Sequence, residues 1–183
     1  MKIVTYEVEG RRKLGILNAG EQWVYPLERF GMDYRDMEEA VTGMSESEIQ
    51  LLNAKAGTDP YEIPGAARLS EVKLLAPIPC PRRDVICLGV NYMAHAEESA
   101  RYKKQEFSGE RPYAVYFSKR VHQASGPFDG IPAHRDLTEK LDYEVELAAI
   151  LKKDAFRVSE AEARDYIFGY TVINDVSARD LQN

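Results

Sequence analysis

Two stretches decide the fold: YEVELAAIL at residues 143–151 and IFGYTVIND at residues 167–175. Each is dominated by aliphatic, aromatic and β-branched residues at strand length, and each predicts a strand. Strand side chains alternate between faces. Glu144 and Glu146 therefore point the same way, while Tyr143, Val145 and Leu147 pack on the other side. The face of the two glutamates continues into Ala148 and Ile150, so the carboxylates are expected to be partly enclosed. The second strand delivers Asn174 and Asp175 at its end.

Working outward, residues 3–8 and 13–17 resemble a hairpin punctuated by Glu9-Gly10, and a further strand is expected at residues 23–25. Residues 34–44 form one helix candidate. Ser45-Glu46-Ser47-Glu48 has the form of a capping box, followed by Ile49, Leu51 and Leu52 and stopped by Gly57. Pro77, Pro79 and Pro81 break regular structure and mark a linker, with a boundary near Ala76. Beyond it, residues 85–88 predict a buried strand ending at Gly89, in which Cys87 acts as a small hydrophobe. Residues 91–112 are polar, helical in the first half and loop in the rest. Residues 113–117 predict another strand, and Ser159 caps a short helix. Many strands, few short helices and no repeated βαβ unit predict an α+β, β-rich mixed fold. A small N-terminal accessory domain, residues 1–76, and a second domain, residues 77–183, which is to carry any chemistry, are expected.

Composition narrows the function. The chain has 183 residues, 44% hydrophobic and 30% charged, with a net charge of −6. That suits a globular domain with its own core. No apolar run approaches the roughly 18 residues of a membrane span. Glu7 and Glu9 arrive too early for a signal peptide. The lysines and arginines are scattered, so nucleic acid has no electrostatic footprint. Cys80 and Cys87 form no CxxC pair and read as reduced thiols of a cytoplasmic protein. Glycine-rich phosphate cradles are absent.

Three groups of residues carry chemistry. Glu144, Glu146 and Asp175 make an all-oxygen set suited to a hard divalent cation; the alternative is a solvated strand face and a helix cap. His95 and Glu98 stand three apart, and a carboxylate beside an imidazole prepares a general base; the alternative is a surface histidine. Arg179 and Gln182 share a face if Ser177 opens a helix, and an arginine grips carboxylates bidentately; the alternative is an ordinary capped helix. Lys119 is either a strand-end cation near the same site or a solvated strand terminus.

Taken in order, GVNYMAHAEE (89–98), VYFSK (115–119), LDYEVELA (141–148) and FGYTVINDVSARDLQ (168–182) resemble the fumarylacetoacetate hydrolase family. The nearest likeness is to its 2-hydroxyhepta-2,4-diene-1,7-dioate isomerase branch, over about residues 84–183. The resemblance implies the β-rich fold of that family's C-terminal domain, and a homodimer. It implies Mg²⁺ or Mn²⁺ on Glu144, Glu146 and Asp175, with His95 and Glu98 as the base dyad. Arg179, Gln182 and Lys119 become contacts to a small 2-oxo, 1,3-dioxo or enol acid. The implied reaction is isomerisation, decarboxylation or C–C hydrolysis through a metal-stabilised enolate. Family members run past the ARDLQ motif, whereas this sequence stops at Asn183. An incomplete pocket is therefore expected, and the rival reading is a catalytically inactive metal- or ligand-binding fragment. A third is an interaction module whose acidic strand face is merely wet.

Overall fold

Strands β1 (Ile3–Val8) and β2 (Arg11–Leu17) pair antiparallel, with Val8 opposite Arg11. Between them Glu9 and Gly10 both take left-handed backbone, at φ 50° and 71°. Such a two-residue turn matches the right-handed twist of a hairpin. Strand β3 (Trp23–Pro26), the short β4 (Ala67–Arg68) and β5 (Lys73–Leu74) complete a five-stranded sheet in the order β4-β3-β2-β1-β5. Two helices lie between β3 and β4 in the chain, α1 (Met37–Gly43) and α2 (Glu46–Lys55). Asp36 caps α1 by accepting from the Glu39 N–H. The capping box of α2 forms as the sequence predicts, with Ser45 and Glu48 each serving the other's backbone N–H. The computed structural model describes residues 1–89, 91–92 and 113–182.

The apolar core belongs to this sheet and its helices. Leu14, Ile16, Tyr25, Leu27, Met37 and Leu52 form its centre. A Cβ at Gly15 would stand 2.6 Å from Val24 Cγ1 and 2.8 Å from the Tyr25 carbonyl oxygen, so only glycine admits β3 this closely. On the rim, the Trp23 ring takes the Arg68 guanidinium over one face at 4.7 Å and meets Tyr61 edge-on at 5.7 Å.

The remaining strands come as two-stranded pairs. Strand β6 (Val85–Gly89) pairs with β7 (Val115–Lys119). Strand β8 (Leu141–Asp142) pairs with β11 (Ser177–Ala178), and β9 (Val145–Leu151) pairs with β10 (Ile167–Asn174), all antiparallel. The chain forms two compact units, one of residues 1–79 with 125–183 and the other of residues 80–124. In the larger unit, Ile150 and Phe168 pack against the apolar core of the N-terminal sheet. Thr5 Oγ1 donates to the Pro77 carbonyl at 2.6 Å, and Lys73 pairs with Asp129 at 2.9 Å.

The β-rich α+β expectation holds, and several local expectations do not. Ser159 caps no helix, for the short helical turn that follows runs from Ala163 to Tyr166 with no side-chain cap. The strand at residues 85–88 is not buried: Ile86 is 65% exposed, and among the described residues β6 pairs with β7 alone. Ser177 opens no helix; its backbone pairs with β8 instead. The strand expected over 143–151 forms but begins two residues late, at Val145, with Tyr143 and Glu144 in the step between β8 and β9. Its outward face also differs, for Tyr143, Val145 and Leu147 lie exposed rather than packed.

The core makes a stability prediction. Ile16→Ala deletes a fully buried side chain and should cost about 2–5 kcal/mol. Gly15→Ala should cost about 1–3 kcal/mol through overpacking. Urea unfolding followed by circular dichroism reads both; a loss under about 0.5 kcal/mol at either position would contradict this packing.

Candidate functional site

The β9–β10 ladder sets the site. Glu146 stands opposite Ile173 and Val145 opposite Asn174. Past the last ladder pair, the Asp175 N–H donates to the Glu144 carbonyl at 2.8 Å, and the Glu144 N–H donates to Asn174 Oδ1 at 3.1 Å. Residues opposite each other in a pair share a face. Glu144, Glu146 and Asp175 therefore lie on one face, and on β9 that face continues into Ala148 and Ile150 as the sequence predicts.

Burial in this part of the molecule is polar. Among the described residues from position 80 onward, only Thr138, Asp175 and Ser177 are buried. Asp175 is 6% exposed. Its carbonyl accepts from Ser177 Oγ at 3.2 Å, while its Oδ1 is a buried oxygen that accepts no hydrogen bond from a described residue. Placing a carboxylate oxygen out of water is costly without positive charge or donors nearby.

A second strand pair brings a cation to the same place. The β8–β11 pairing continues with the Arg179 N–H donating to the Lys140 carbonyl at 2.9 Å. Asp180 fastens the end of this ribbon: Thr138 Oγ1 and the Glu139 N–H both donate to its carboxylate. These bonds, the Thr138 hydroxyl foremost, hold the Asp180 carboxyl below the usual aspartate range. Arg179 is thereby set against three acceptors. Its Nε donates to Asp142 Oδ2 at 3.0 Å, and its Nη1 reaches Glu144 Oε1 at 2.7 Å and Gln182 Oε1 at 3.0 Å. Partial burial works against the guanidinium charge, but the Asp142 hydrogen bond and nearby Glu144 outweigh it and raise its pKa above the ordinary arginine value.

The residues singled out from the sequence thus fall into three groups. Glu144, Glu146 and Asp175 share a face, and Arg179 and Gln182 join them through Glu144. The helical spacing expected for Arg179 and Gln182 is replaced by a turn after β11, and the two side chains still meet. Lys119 ends β7 in the unit of residues 80–124 and is half-buried. His95 and Glu98 lie outside the described residues. No group of three His, Cys, Asp or Glu side chains is gathered for a metal ion among the described residues. The Glu144 carboxylate is instead turned to Arg179. Sequence reasoning missed Thr138, Asp142 and Asp180. Asp142 was within reach of the alternation argument, being two residues before Glu144. The Thr138–Asp180 bond spans 42 positions, and no local pattern marks it.

Comparison with known proteins agrees with the strand arrangement. The fumarylacetoacetate (FAA) hydrolase C-terminal family matches residues 84–183. The chain belongs to the fumarylacetoacetate hydrolase family. One relative is the oxaloacetate tautomerase YisK of Bacillus subtilis, 44% identical over 114 residues, which are 62% of this chain and 36% of that protein. A solved fumarylacetoacetate hydrolase from Exiguobacterium antarcticum is 35% identical with a TM-score of 0.70, covering 100% of this chain and 58% of that one. A maleylpyruvate hydrolase from Sphingobium sp. SYK-6, solved with manganese(II) and pyruvate, shares the fold at 24% identity and a TM-score of 0.67, over 98% of this chain and 60% of that one. The chain spans between 35% and 62% of the length of the first curated relatives it matches. No helix among the described residues is long and apolar enough to cross a membrane.

The Asp180 anchor can be tested by titration. Its lowered pKa contributes stability above the ordinary aspartate range, and that contribution fades as pH falls through the lowered value. In Thr138→Val the Asp180 carboxyl should titrate closer to an ordinary aspartate, read by ¹³C NMR of the side-chain carboxyl. An unchanged titration would remove Thr138 as the anchor.

Proposed function

We propose that the chain forms part of a divalent-metal-dependent enzyme acting on a small 2-oxo, 1,3-dioxo or enol acid. The reaction is an isomerisation, decarboxylation or C–C hydrolysis. Keto–enol tautomerisation is the member of that set favoured by the 44% identical tautomerase. The observation that carries the reading is the β9–β10 register, which sets Glu144, Glu146 and Asp175 on one half-buried face beside Arg179. Residues 77–183 are the metal-binding catalytic part in this reading, residues 1–76 are its accessory, and the working form is a cytoplasmic homodimer.

The donor chemistry suits the cation, and gathering the three side chains round it requires Glu144 to turn from Arg179. All three donors are carboxylates, the hard oxygen set that Mg²⁺ and Mn²⁺ select, and one of their oxygens is already withdrawn from water. Glu144, Glu146 and Asp175 would hold it. When bound, the cation supplies positive charge against which electron density builds on the oxo group. The rest is the work of side chains. In this reading His95 and Glu98 are the base dyad, which takes a proton from the carbon beside the oxo group and returns it to the enolate. Arg179 and Gln182 orient the substrate carboxylate, the arginine by charge and the amide by a hydrogen bond. Lys119 would be a further substrate contact.

A Mn²⁺ titration followed by electron paramagnetic resonance tests the reading. The parent chain should bind saturably and Glu146→Ala should not. His95→Ala should keep the metal and lose roughly 100- to 10,000-fold in oxaloacetate tautomerisation. Metal retention by Glu146→Ala would sink the ligand assignment, and metal binding without turnover of any oxo-acid would reduce the chain to a binding protein.

A further inference from the structure

One ion pair has a consequence for the order of events at this site. Arg179 Nη1 lies 2.7 Å from Glu144 Oε1, and the Glu144 side chain retains 17% of its exposure. The same guanidinium holds Asp142 Oδ2 through Nε at 3.0 Å and Gln182 Oε1 through Nη1. One carboxylate proposed as a metal ligand is thus already satisfied by a positive charge of the protein itself. A divalent cation and a guanidinium cannot share one carboxylate oxygen at contact distance without strong repulsion. A planar fork held at one nitrogen, however, can release another while keeping its hold.

We infer that Arg179 is the resident counter-ion of Glu144, and that a divalent cation takes its place while Asp142 retains the guanidinium as a positioning residue. The inference rests on the metal-site reading above. Its chemical content is an exchange. The cation binds Glu144, the Nη1 edge is released, and that edge turns with Gln182 to an anionic substrate. Metal and anion then bind in that order, because the donor that recognises the anion is engaged until the metal arrives. Before that, the pair keeps a half-buried glutamate compensated, which limits repulsion from Asp142 on the same edge.

Mn²⁺ and Mg²⁺ binding to the 183-residue chain test this without any turnover assay. Arg179→Ala should bind Mn²⁺ roughly two- to fivefold more tightly than the parent, the range set by releasing a partly exposed ion pair. Arg179→Lys keeps the charge but not the two-pronged hold, so it should fall between the two. In the parent, the Arg179 Nε–H signal in ¹⁵N NMR, assigned by its loss in Arg179→Lys, should persist when Mg²⁺ is added. In Asp142→Asn it should broaden. Equal or weaker metal binding by Arg179→Ala overturns the exchange and leaves the ligand set standing. Arg179→Lys binding like the parent shows a field effect alone and also overturns it. Loss of the Nε–H signal on adding Mg²⁺ to the parent removes Asp142 from the account. Absence of metal binding in the parent and every variant defeats the metal-site reading and this inference together.

Discussion

The hydrogen bond from the Asp175 N–H to the Glu144 carbonyl extends the β9–β10 ladder one step beyond its last regular pair. Everything at the site depends on that register. Strand side chains have a period of two, so a slip of one residue would carry a whole strand's side chains to the opposite face. Asp175 would then part from Glu144 and Glu146, and Ile173 would leave its place opposite Glu146. The register is secured at the far end by Ile150 and Phe168, which pack on the apolar core of the N-terminal sheet. That sheet holds no candidate site residue, yet it anchors the strands that do.

The two halves of the sequence bury different things. Residues 1–76 bury apolar side chains between a sheet and two helices, and hold together by area removed from water. The later strands bury a threonine, an aspartate and a serine. Those groups are held by direction rather than area: a hydroxyl on Asp180, another on the Asp175 carbonyl, and a guanidinium between two acids. Hydrogen bonds of this kind specify position more than they stabilise, because each replaces a bond to water. Precise placement of charge is what binding and catalysis require of a site.

What could be read from the sequence was local. The hairpin at Glu9-Gly10 and the Ser45–Glu48 capping box each depend on a few adjacent residues, and both form. The shared face of Glu144 and Glu146 follows from strand periodicity alone and is present too. Expectations failed where a distant segment decides. Ser177 looked like a helix cap, but β8 offers its backbone a partner 35 positions earlier. Tyr143, Val145 and Leu147 looked like core, yet an apolar side chain is buried only if something covers it, and that is not a property of its own strand. Asp142 and Thr138 were passed over because their importance lies in Arg179 and Asp180, some 40 residues away. The ordered motifs from residue 89 to 182 carried the family where single spacings did not.

Trp23 is the chain's single tryptophan, and it sits on the rim of the N-terminal sheet between the Arg68 guanidinium and the edge of Tyr61. Its emission is therefore a local reporter. The ring registers the charge above it, which belongs to the β4 edge of the N-terminal sheet, and the tyrosine beside it, which belongs to the turn at Pro60–Glu62 that precedes that edge. An intrinsic-fluorescence trace of this protein is a record of that sheet's integrity. The carboxylate face on β9 and β10 needs an optical label of its own, and an exposed position on the outer face of β9, such as Leu147, is a natural place to attach one.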